Sequence, residues 1–166
     1  MLPATADALA GTGIPAHAGM LWNGATWDRP RGPQAGVSLI ASATRTATAS
    51  SATQTNYGHK GVLVVVDVTA APSNASTLTL AFSCQNPFAY IGFEGTLIIN
   101  KTDAAVVATH GILIYPGIVA ANIPAQDAGA RIRKVIAAPL PRTWGVDILH
   151  NNSESWTYSV SAHLLT

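Results

Sequence analysis

Gly61-Val-Leu-Val-Val-Val-Asp-Val-Thr-Ala70 is β-branched and almost wholly apolar, the composition of a strand rather than of a helix, and it predicts a central strand covered on both faces. The run that follows, Thr77-Leu-Thr-Leu-Ala-Phe-Ser-Cys84, alternates instead. Its Leu78, Leu80, Phe82 and Cys84 share one side, which predicts a half-buried strand. Ala71-Pro-Ser-Asn-Ala75 supplies the turn between them, and so short a connection favours an antiparallel pair.

Outward from this pair, further strands are expected at Val37–Ser50, Ala89–Asn100, Ala104–Tyr115, Ile132–Ala138, Trp144–His150 and Ser155–Leu165. Turn clusters separate them: Lys101-Thr-Asp103, Tyr115-Pro-Gly117 and Asn151-Asn-Ser-Glu154. In the last strand Trp156, Tyr158, Val160, Ala162 and Leu164 take one phase, and Thr157, Ser159, Ser161 and His163 the other, so one face is dry and one wet. No window carries a helical period, and Pro124 and Gly129 break Val119–Ala130 into a loop or single turn. Short strands at this spacing predict an all-β fold: a single antiparallel β-sandwich, jelly-roll-like, over residues 36–166.

Residues 1–35 read as an extended N-terminal arm. Residues 1–20 are mostly Ala, Gly, Pro and Thr, yet Leu21-Trp22-Asn23-Gly24-Ala25-Thr26-Trp27-Asp28-Arg29-Pro30-Arg31-Gly32 sets two tryptophans around an Asn-Gly turn. Large aromatics in so thin a setting need a surface to bury them, on this protein's own body or on a neighbouring subunit. Leu21, Trp22, Trp27, Asp28, Arg29 and Arg31 are therefore the candidate partner-binding residues. At roughly 25 cal/mol per Å2, two Trp side chains burying about 200 Å2 each contribute on the order of 10 kcal/mol before entropy, enough to anchor a short segment.

Composition narrows the partners. Only 10% of the 166 residues are charged and 48% are apolar, which fits either a Thr/Ser-rich β-protein solvated by hydroxyls or a subunit packed in an assembly. A net charge of +1 with scattered basic residues offers no phosphate-binding footprint; Arg131, Arg133 and Lys134 more simply cap a strand or meet an acidic patch. No apolar run approaches the roughly 20 residues that span a bilayer, and the start Met1-Leu-Pro-Ala-Thr-Ala-Asp lacks the pattern of a secretory signal. Nucleic acid and membrane are thus not expected partners.

Catalytic chemistry has little to work with. The five histidines form no metal-ligand spacing, Cys84 reads as a buried inert thiol, and no cofactor is expected. Asp67 and Glu94 are carboxylates in partly apolar surroundings, a pairing that would suit glycoside hydrolysis only if the fold joined them. Trp144, Trp156, Tyr90 and Tyr158 could stack beneath a sugar ring, but Trp144, Val146 and Ile148 alternate as a core stripe and Trp156 opens another. A non-enzymatic role is the expectation.

Three passages resemble a family of virion structural proteins from tailed bacteriophages: Leu21–Arg29; Ala41-Ser-Ala-Thr-Arg-Thr-Ala-Thr with Gln54-Thr-Asn-Tyr and Gly61–Ala70; and Leu140-Pro-Arg-Thr-Trp-Gly-Val with Ser155-Trp-Thr-Tyr-Ser-Val-Ser-Ala. The resemblance covers most of residues 21–166, and residues 85–130 depart from it. It implies a β-sandwich of the phage particle, most simply a capsid decoration protein that binds the major capsid lattice on the head surface. A tail or fibre component, or a carbohydrate-binding module for host attachment, is the alternative. Self-association as a trimer would let several weak arms act together.

Overall fold

The computed structural model of the protein describes residues 21–22, 27–28, 36–83, 96–103, 105–119, 121–122 and 132–166. The chain divides into two compact units, Met1–Gly32 and Pro33–Thr166. In the first, β1 (Leu21–Trp22) pairs antiparallel with β2 (Trp27–Asp28).

The second unit is all-β among the described residues. Its strands are β3 (Val37–Arg45), β4 (Ala49–Ser50), β5 (Gln54–Thr55), β6 (Gly61–Ala70), β7 (Thr77–Ser83), β8 (Thr96–Asn100), β9 (Thr109–Ile114), β10 (Ala121–Asn122), β11 (Ile132–Ile136), β12 (Thr143–His150) and β13 (Trp156–Leu165). One sheet runs β10-β11-β9-β6-β13-β3; the other runs β4-β12-β7-β8, with β5 also on β12. They pack face to face as a β-sandwich. No described residue belongs to a helix, so none supplies a membrane-crossing one.

Period-2 side chains build the core. β6 contributes Val62, Val64, Val66 and Val68, β7 contributes Leu78, Leu80 and Phe82, β12 contributes Trp144, Val146 and Ile148, and β13 contributes Trp156, Tyr158, Val160 and Ala162. Ile112 and Ile114 of β9, Leu97 and Ile99 of β8, Ile40 of β3 and Leu140 also belong to it. Phe82 on β7 and Trp144 on β12, two positions along from Phe82's direct partner Val146, stack with ring centroids 5.5 Å apart.

Several sequence expectations change here. β6 is central, but its apolar run is sealed on one face only: Leu63 and Val65 are half-buried and Asp67 is exposed. Leu113, Ser161 and His163 flank Leu63 and Val65 in the neighbouring strands, and among the described residues no second layer covers that outer face. β6 and β7 are not paired with one another. The short connection through Pro72 carries the chain from one sheet to the other, since facing the two apolar stripes across the sandwich buries both. The run 37–50 likewise splits into β3 and β4, which lie in different sheets.

Among the described residues every strand pair is antiparallel except β9 with β11, which is parallel. The connection through residues 115–131 supplies the length that a parallel crossover requires. β10 arises inside the segment expected to be a loop, where Ala121 and Asn122 pair with Val135 and Lys134.

Candidate functional site

In the Met1–Gly32 unit the pairing of β1 with β2 sets Leu21 opposite Asp28 and Trp22 opposite Trp27. The register therefore makes Trp22 and Trp27 one cross-strand pair of the backbone ladder. The Asn23-Gly24 step between them is the sequence signal for such a reversal. Two pairs of residues are too few for independent stability in water, which leaves the hairpin in need of further packing. Arg29 and Arg31 lie outside the described residues, as do the side chains of the other four candidates.

The aromatics weighed as a sugar platform are interior. Trp144 is 2% exposed, and Trp156 and Tyr158 are fully buried, so none can stack beneath a ring from solvent. Tyr90, Glu94 and Cys84 lie outside the described residues. Asp67 is exposed on β6, where Thr109 Oγ1 lies 3.4 Å from its Oδ1. Among the described residues, no three His, Cys, Asp or Glu side chains gather as a metal would need.

Three polar constellations of the sandwich domain escaped sequence reasoning. Arg45, at the end of β3, folds its guanidinium over the Tyr158 ring at 4.9 Å and donates to the carbonyls of Ala41 (2.6 Å), Ala43 (3.0 Å) and Tyr158 (3.1 Å). His150 Nε2 lies 3.2 Å from the Tyr158 hydroxyl. Burial pushes the His150 pKa down, opposed by a backbone hydrogen bond at Glu154 and aided by Arg45. Burial pushes the Tyr158 pKa up, opposed by the same guanidinium.

At the start of β9, His110 is fully buried and its Nε2 bonds the Val106 carbonyl at 3.1 Å. Burial lowers its pKa; that hydrogen bond opposes the shift, and the nearby Arg133 charge adds to it. Arg133, 3% exposed, meets the Asp103 carboxylate at 3.7 Å. Asp103 Oδ2 also accepts from the Asn100 backbone N–H at 3.0 Å, so one carboxylate ties the buried cation to the end of β8. Arg133 thus meets an acidic group, one of the two roles expected for the basic trio; Arg131 is outside the described residues.

The third constellation links the β6–β7 and β12–β13 connections through Ser76, Asn151 and Asn152. Ser76 Oγ lies 2.8 Å from Asn152 Oδ1 and 3.2 Å from Asn151 Oδ1, while the Thr77 N–H donates to Asn151 Oδ1 at 2.8 Å. All three are bracing contacts between strands and connections, and they give several polar groups of the sandwich a partner. Turn-rich Asn and Ser were the only sequence signal for the third, and nothing in the sequence joined Arg133 to Asp103.

Comparison of the chain with protein-family models, with curated proteins and with solved structures finds no match.

Proposed function

We propose that this protein is a non-enzymatic structural protein of a tailed-bacteriophage particle, most simply a capsid decoration protein that binds the major capsid lattice through the hairpin of its N-terminal arm. The observation that carries this reading is the register that sets Trp22 opposite Trp27 on a hairpin too short to stand alone. Two tryptophans paired in register would make a compact anchor, rigid and large in contact area. Leu21, Asp28, Arg29 and Arg31 would flank it on the partner's surface.

The strand order supports a finer assignment of the body as a jelly roll. Counting the principal strands as β3, β4–β5, β6, β7, β8, β9, β12 and β13, one sheet carries the first, eighth, third and sixth, and the other the second, seventh, fourth and fifth. Two interlocked Greek keys produce that order, and viral capsid domains share the architecture, an analogy of fold alone. The low charge and the resemblance of the Trp22–Trp27, Gly61–Ala70 and Leu140–Val146 passages point the same way.

Localisation on an intact particle tests the reading. Density or antibody label distributed over the head lattice at hundreds of copies is expected; a few dozen copies at the tail would reassign the protein to a tail or fibre, and absence from particles would end the proposal. Trp22→Ala with Trp27→Ala in the full chain is expected to abolish retention on particles while leaving the sandwich folded.

A further inference from the structure

Most of the sheet edges carry devices that discourage a further strand. At the β3 edge the register with β13 slips between Ile40 and Ala43, and the Arg45 guanidinium occupies the carbonyls of Ala41 and Ala43. β10 is two residues long, and β4 and β5 are two short pieces interrupted where Ser51 bonds Val146 through its backbone N–H at 2.9 Å and through Oγ at 3.0 Å. β8 has none of these. Thr96-Leu-Ile-Ile-Asn100 contains no charge and no proline, and its register with β7 runs unbroken from Asn100 to Thr96.

The hydrogen-bond phase identifies which backbone groups of β8 are open. Lys101 N–H donates to the Ser76 carbonyl at 2.9 Å, so the alternation of an antiparallel pair makes Leu78–Ile99 and Leu80–Leu97 the hydrogen-bonded pairs. The N–H and C=O of Thr96, Ile98 and Asn100 therefore point away from β7. Asp103 occupies both groups at Asn100, its Oδ2 accepting from the N–H and its own N–H donating to the C=O at 3.0 Å each. Among the described residues, Thr96 and Ile98 are left with outward backbone donors and acceptors. Ile98 is 54% exposed, and beyond Thr79 in the same cross-strand row stands Leu149, 42% exposed.

We infer that β8 pairs antiparallel with β8 of a second copy about a two-fold axis at Leu97, joining the two smaller sheets into one. This register is self-complementary. Ile98 faces Thr96 of the second copy and Thr96 faces its Ile98, so all four open residues exchange backbone hydrogen bonds, four in total, and pairing ends where Asp103 caps Asn100. Leu97 meets Leu97 at the close, non-hydrogen-bonded position on the core side, extending the apolar layer across the junction. Neither strand brings a charge to be desolvated. The pairing is independent of whether the protein belongs to a phage particle.

Sedimentation equilibrium of the full chain tests this, with dimer the expected species. Ile98→Pro deletes an N–H that serves the open edge and not the β7 ladder, so it is expected to keep the all-β circular dichroism while weakening the dimer by about tenfold or more. A monomeric wild type, a trimer, or a folded Ile98→Pro protein that dimerises as before would each overturn the inference. Should that variant fail to fold, Leu97→Cys in a Cys84→Ser background decides: a disulfide-linked dimer on mild oxidation supports the two-fold, and none refutes it.

Discussion

The indole Nε1–H of Trp156 donates a 2.9 Å hydrogen bond to Oγ of Ser76, joining the first residue of β13 to the turn ahead of β7 across 80 positions of sequence. Trp156 is fully buried and Ser76 is 4% exposed, so the bond forms away from solvent. The same hydroxyl reaches Asn152, whose Nδ2 donates to the Ala75 carbonyl at 3.0 Å. A core tryptophan and two inter-sheet connections thus share one oxygen.

Ser76→Ala leaves that indole without this acceptor, and the expected loss is about 1–3 kcal/mol by chemical denaturation. Removing the donor as well, in Ser76→Ala with Trp156→Phe, is expected to cost less than the sum of the two single changes. Strict additivity in that cycle would mean the bond contributes nothing.

Acid is expected to destabilise the fold through His110. Its folded pKa lies below the 6.5 of a free imidazole, so below pH 6.5 the unfolded chain binds the proton more readily. The stability held by the neutral ring is complete above that pH and drains as pH falls toward the lower folded value. Arg133 disfavours the imidazolium, while Asp103 and Asp67 favour it, and desolvation decides the direction. Denaturation midpoints measured across this range should fall with pH in the wild type and fall less in His110→Phe, where the slope that persists belongs to groups such as His150.

Asp103→Ala removes the carboxylate beside a buried guanidinium and the cap on Asn100 together. A loss of about 3–5 kcal/mol is expected, because the buried charge of Arg133 loses this carboxylate. Asp103→Asn, which retains an acceptor oxygen, should lose less; equal losses would show that the charge is irrelevant.

Gly61 is required by close approach. A Cβ there would fall inside contact with the Ile114 carbonyl oxygen and with Tyr115 Cδ2, so β9 would have to move away from β6. Gly61→Ala is expected to lower stability by about 1–3 kcal/mol, read from the thermal transition. An unchanged transition would indicate that the two strands can separate freely at this point.

How far the strands were legible follows from their side-chain patterns. Trp156 through Ala162 alternates so strictly that its buried phase is correct residue by residue, and Trp144, Val146 and Ile148 form the stripe expected of them. The pairing of β6 with β7 was misjudged because loop length limits reach but does not select between a hairpin and a crossing to the opposite sheet. Short strands such as Gln54–Thr55 carry no period and exist only because β12 offers an edge to bond.

The amino-acid sequence by itself determined an all-β chain with a dry and a wet phase in its main strands, because burial periodicity is a local property of the backbone. It also marked the Asn23-Gly24 turn between Trp22 and Trp27, since turn chemistry acts within a few residues. Only the tertiary structure decided which strands are neighbours, where Arg133 meets Asp103, and that the backbone groups of Thr96 and Ile98 point away from β7. Those relationships join residues distant in the chain, and the packing of one sheet on the other selects them.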